Sequence, residues 1–140
     1  MKTAVKKAEA NKELQKNLKK LNYYNTDRFI EDCKTYIKAI KERRMVCVIK
    51  SVSNSGMTRV IKFSSPQKSN DGKFYYRNYN CLFIALGYSE AKNTDGFKIN
   101  GCGMDMIFHT NYTIIHRLHR LGFISQKQCN SLAQITPNTI

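Results

Sequence analysis

The sequence has no tryptophan, two prolines and ten acidic residues among 140, against 24 lysines and arginines, a formal net charge of +14. That sign excludes mimicry of a phosphate backbone, which needs the opposite charge. The shortage of carboxylates, four of them after residue 44, leaves little equipment for general acid–base hydrolysis. Long apolar runs are missing too. The longest, Met45–Ile49 and Cys81–Leu86, fall far short of the roughly 20 residues a membrane-spanning helix needs. The basic start, MKTAVKKAEANKELQKN, contains no apolar segment of the secretory-signal kind. The five cysteines (Cys33, Cys47, Cys81, Cys102 and Cys129) are odd in number and form no CxxC pair. They read as free thiols, and the expected compartment is reducing and cytoplasmic.

What is present suits one structural domain. The length lies in the usual range for a single unit, and 41% hydrophobic content can supply a core despite the charge. Residues 1–44 carry 13 Lys and Arg against 6 Asp and Glu, and residues 45–140 carry 11 against 4, so the surplus is shared. A chain this basic attracts polyanions by counterion release and steering, although lysines also serve solubility alone.

Residues 3–21 read as a polar helix with a narrow stripe at Leu14, Leu18 and Leu21, its first turns expected to fray or stand free. A stronger amphipathic helix is predicted over 27–43 from Phe29, Ile30, Cys33, Ile37 and Ile40. Strands are predicted at 45–52 and 57–64, joined by a turn at Ser53–Gly56, and at Lys73–Arg77 after a loop over Ser65–Gly72. Asn80–Leu86 suits a short helix ended by Gly87, Ser89–Gly96 a polar loop, and Phe97–Asn100 a short strand. A long helix over 105–121 follows, with a weak turn from Ser125 to Leu132 and fraying beyond Pro137. The predicted order α-α-β-β-β-α-β-α gives an α+β fold: an N-terminal helical hairpin, then a small, mainly antiparallel sheet with two packed helices. The expected division is a basic helical arm (1–44), an α+β core (45–124) and a C-terminal tail (125–140).

Two local motifs stand out. In SVSNSGMTR, 51–59, small hydroxyl residues and Gly56 make a polar hairpin tip, with Met57 and Arg59 just beyond. In GCGMDM, 101–106, Gly101 and Gly103 permit a steep turn, and Asp105 falls in a first helical turn, where it would repel a bound anion. Each motif holds one charge in small or apolar surroundings, which suggests an Arg59–Asp105 ion pair. The alternative is an Arg59 that faces solvent in a basic patch. His109, His116 and His119 share one helix but lack the spacing of a metal-ligand set, so neither a metal nor a cofactor is expected. Cys102 has no signature of a nucleophile with its base, and the chain reads as non-enzymatic. In KFYYRNY, 73–79, aromatic and basic residues interleave as in base-stacking surfaces, although on a strand only alternate members are available. The candidate binding residues are Arg28, Lys34, Lys38, Lys41, Arg43, Arg44, Arg59, Arg77, Arg117 and Arg120. The helical cations among them are equally compatible with solvated faces of helices that cover a sheet.

On Ser55, Gly56, Met57 and Arg59, and on Gly101, Gly103, Met104 and Asp105, the chain resembles a family of small proteins of phages and other mobile elements. Thr58 stands where that pattern has serine, which keeps the hydroxyl. The resemblance covers roughly residues 45–121. It implies action on host defence, of the anti-CRISPR type that inhibits a Cas9 nuclease, with the effector protein or its DNA or RNA as partner. A basic DNA- or RNA-binding accessory protein is the other expectation. Neither involves a membrane.

Overall fold

The computed structural model describes residues 11–20, 26–91, 96–100 and 106–140. The elements in order are helices α1 (Lys12–Lys20) and α2 (Thr26–Lys41), strands β1 (Val46–Val52), β2 (Thr58–Lys68) and β3 (Phe74–Asn78), helix α3 (Asn80–Ala85), strands β4 (Ser89–Ala91) and β5 (Gly96–Asn100), helices α4 (Met106–Arg120) and α5 (Gln126–Leu132), and strand β6 (Asn138–Thr139). This is the expected α+β class with a six-stranded, mainly antiparallel sheet. The β1–β6 pairing is parallel. The segment between α1 and α2 lies outside the described residues.

Strand β2 organises the sheet. One edge pairs with β1 from Arg59 to Ser64, and the other serves β5 through Thr58–Ile61 and then β3 through Ser64–Lys68. The sequence reading ended this strand at residue 64 and assigned Ser65–Gly72 to a loop. In fact β2 continues through Pro66. The Pro66 carbonyl accepts a hydrogen bond from Arg44 Nη1 at 3.0 Å. A strand residue's nitrogen and carbonyl point the same way, so the proline ring nitrogen also faces this edge, past the end of β1, and costs no ladder bond. Gly96 in β5 is packed against β2: a Cβ there would stand 2.7 Å from the Ile61 carbonyl oxygen.

Alternation along the strands separates two faces. One carries Cys47, Ile61, Phe63, Phe97 and Ile99 into the core. Against it α2 buries Phe29, Cys33, Tyr36 and Ile40. Leu14 and Leu18 of α1 join the same core. Helix α3 is too short to be stable by itself. Phe83 anchors it, meeting Tyr36, Phe63 and Phe97 edge to face with centroids 5.4, 5.3 and 4.6 Å away. Burial of such a ring contributes about 1.5–3 kcal/mol.

The C-terminal region differs from the expected weak turn and fraying end. Ser125 and Gln128 form a capping box that starts α5. Pro137 is buried, and β6 pairs with β1 through Asn138 N–H to the Met45 carbonyl and Ile140 N–H to the Cys47 carbonyl, each at 3.0 Å. Likewise, part of the expected loop after Ser89 is the edge strand β4. The polar centre that secures the C-terminal region is Asn111 of α4, fully buried. Its Oδ1 accepts from the Tyr36 hydroxyl at 2.6 Å, and its Nδ2 donates to the carbonyls of Leu132 and Ile135 at 3.2 and 2.7 Å. One amide thereby joins α2, α4 and the segment that leads to β6. Asn111→Ala leaves the buried Tyr36 hydroxyl and the Ile135 carbonyl without this partner, each worth about 1–3 kcal/mol, while the Leu132 carbonyl keeps the Ile135 N–H. Urea denaturation should show a loss of about 3 kcal/mol or more, with faster hydrogen exchange at the Asn138 and Ile140 amides. A loss below about 1 kcal/mol would contradict this role.

Candidate nucleic-acid interface

The second face of the sheet carries the alternate residues. Along β2 these are Thr58, Val60, Lys62, Ser64, Pro66 and Lys68. Val48 registers with Lys62, Lys98 with Val60, Tyr76 with Pro66 and Phe74 with Lys68. Val46, Val48 and Val60 are half-buried and stand outside the core cluster. No aspartate or glutamate is in register on this face among the described residues, whereas three lysines are. Phe74 and Tyr76 are 77% and 66% exposed. The Lys68 Nζ lies 5.7 Å from the Phe74 ring centroid, within cation–π range. The β2–β3 turn that presents this pair is tied by Asp71, which accepts from the Ser69 hydroxyl and the Lys73 amide. Those hydrogen bonds, Ser69 first, hold the Asp71 carboxyl below its ordinary range.

Most candidate cations from the sequence lie elsewhere. Lys34, Lys38 and Lys41 form an exposed row on the side of α2 that faces away from the sheet, with Glu31 in the same row. Lys38 and Lys41 occupy the last turn of α2, where cations complement the helix dipole. Arg77 points to the core side of β3 and is paired with Asp32 of α2, and Arg28 approaches the same carboxylate at 3.9 Å. Arg117 donates to the Leu86 carbonyl and lies 4.8 Å from the Tyr88 ring centroid. Arg44 bonds Glu42 at 2.8 Å as well as Pro66. Arg43 is exposed, with φ at 57°. Arg120 lines a groove of about 410 Å³ between α1 and the end of α3, together with Arg117 and Glu13. The sequence reading did not assign Lys62, Lys68 and Lys98 to a site. Their signal was the alternation itself, hidden until strand register showed which residues share a face.

The serine-rich motif builds its own turn. The Ser53 hydroxyl accepts from Thr58 N–H at 3.1 Å and the Ser55 hydroxyl from Met57 N–H at 3.3 Å, while Gly56 takes φ of 75° and donates to the Ser53 carbonyl at 2.9 Å. Met57 is left 52% exposed at the tip. Arg59 registers with Ile99 on the core-side parity. Thr58 pairs with Asn100, the residue that precedes the second motif, and their side chains meet at 3.3 Å. Gly101, Cys102, Gly103 and Asp105 lie outside the described residues, as does the expected Arg59–Asp105 pair.

Other chemistry is sparse. Cys129 Sγ lies 3.5 Å from His116 Nδ1, but burial raises the thiol, which keeps it protonated rather than nucleophilic. Burial likewise pushes the Cys47 thiol up to about 12. Cys33, Cys47, Cys81 and Cys129 are free thiols. Among the described residues no three His, Cys, Asp or Glu side chains converge on a metal position, and no helix is long and apolar enough to cross a membrane. Comparisons with protein-family models, curated proteins and solved structures return no match to this chain.

The Asp32 carboxyl provides a test of the Arg77 placement. Burial pushes it from 3.8 up to about 6. A proton held more tightly in the folded state contributes stability that is complete below the unfolded value and is lost as pH rises through about 6. The carboxyl carbon of Asp32 should titrate by NMR with a midpoint near 6. Arg77→Ala removes a positive neighbour and should move that midpoint higher; a midpoint below 4 would refute the burial argument.

Proposed function

We propose that this chain acts without catalysis in the cytoplasm, by binding nucleic acid through the outer face of its sheet. The observation that carries the reading is the composition of that face: three lysines beside two exposed aromatic rings, with no acidic residue in register among the described residues. A phosphate backbone gains counterion release from such a face. The lysine row of α2 has the same sign, but Glu31 flanks its N-terminal end and the helix dipole explains its C-terminal end. That row also lies on the opposite side of the molecule, so one short duplex cannot engage both surfaces.

The resemblance of SVSNSGMTR and GCGMDM to small mobile-element proteins supplies the biological role in this proposal. It is inhibition of a host defence nuclease of the Cas9 type, with the basic face gripping guide RNA or DNA. In such effectors the protein holds nucleic acid by shape and backbone, which a cationic competitor can reach. Inhibition of target cleavage by a purified effector–guide complex separates this role from that of an accessory nucleic-acid binder.

Two triple variants test the surface. Changing Lys62, Lys68 and Lys98 to Gln should weaken oligonucleotide binding at low salt by about tenfold or more. It should also flatten the dependence of log affinity on log salt by about 2, given 0.7–0.9 per phosphate contact. Changing Lys34, Lys38 and Lys41 to Gln should weaken binding less and leave the salt slope unchanged. Fluorescence anisotropy across a salt series reads both, and the reverse ranking would move the interface to α2.

A further inference from the structure

We infer that the ligand of the outer sheet face is an unpaired strand of nucleic acid, its bases stacked on Phe74 and Tyr76 and its phosphates held by Lys68, Lys62 and Lys98. This inference rests on the nucleic-acid reading above and narrows it to one class of polymer. Phe74 and Tyr76 lie two residues apart on one face of β3, roughly 7 Å along the strand. With 77% and 66% of their surface exposed, they contribute little to the core. In a duplex, bases stack on one another and offer an incoming ring only edges and backbone. Unpaired bases expose their flat faces, and every base has one.

The neighbours of the rings fit the same ligand. Lys68 is in register with Phe74, and its ammonium lies 5.7 Å from that ring, so a base on Phe74 has a cation beside its phosphate. Pro66 is in register with Tyr76 and adds apolar floor next to the second ring. From Lys68 back to Val60, where Lys98 registers, β2 covers eight residues, or about 27 Å. Lys62 and Lys98 are therefore placed for phosphates several nucleotides from the stacked pair. The site has two ends, one that stacks bases and one that holds phosphates. A protein partner with an apolar pocket would fit the rings but has no use for the lysines in register on the same face.

The test uses fluorescence anisotropy of the full chain with labelled 12-nucleotide U and dT single strands and a 12-base-pair DNA duplex at fixed salt. Both single strands should bind at least about tenfold tighter than the duplex. Phe74→Ala with Tyr76→Ala should cost single-strand binding about 30-fold or more, in keeping with the energy of two aromatic–base stacks. Duplex binding should stay unchanged. Phe74→Tyr with Tyr76→Phe keeps the stacking faces and should keep affinity; because both positions are exposed, thermal melting should show all variants folded. A preference between U and dT identifies the natural polymer as RNA or DNA, and either supports the inference. Tighter binding of the duplex, or equal losses on strand and duplex, overturns the stacking inference and leaves the lysine-based reading in place. Absence of binding to all three overturns both.

Discussion

The two-residue period of β2 is the constraint on which the molecule depends. Eleven consecutive residues pair with β1 on one edge and with β5 and β3 on the other, so three further strands take their orientation from it. Ile61 and Phe63 on one side call for a helical layer, and α2, α3 and α4 supply it. Lys62 and Lys68 on the other side cannot be covered without a large desolvation cost. Core and candidate interface are thus opposite faces of one strand. A slip of one residue in register would exchange them, bury lysines and expose Phe63.

Polar groups inside the helical layer fix which helix sits where. Hydrophobic packing alone tolerates sliding of one helix on another, whereas a buried amide with three directional partners does not. Asn111 meets Tyr36 and two carbonyls of the C-terminal segment, and Arg77 pairs with Asp32 across the gap between β3 and α2. These contacts also account for residues with a functional look. Arg77 and Arg117 resemble nucleic-acid contacts in a one-dimensional reading, but both side chains work within the fold.

The sequence was informative wherever periodicity was strong. Helix α2, strand β1, the turn into β2 and α4 were legible to within a residue or two, because their apolar stripes are long and their ends carry caps or turn residues. Elements held by distant partners were not legible. Pro66 reads as a break, yet its ring nitrogen faces an edge where β1 has ended, so β2 runs on. Strand β6 is two residues long and exists through its pairing with β1, a contact that no local pattern encodes. The candidate interface was half legible: the interleaved KFYYRNY segment suggested stacking, but the three lysines that accompany it come from β2 and β5. Sequence distance separates them, and only register unites them.

The arrangement at Pro66 has a consequence for how copies of this protein behave toward one another. A ribbon that displays Phe74 and Tyr76 beside an open strand edge has the composition of a self-templating seed. The proline removes a backbone donor at that edge, and the Arg44 guanidinium, itself paired with Glu42, occupies the Pro66 carbonyl. A second chain would meet a missing donor and an occupied acceptor at the same point. That stretch of the β2 edge is therefore a poor template for a second copy of the chain.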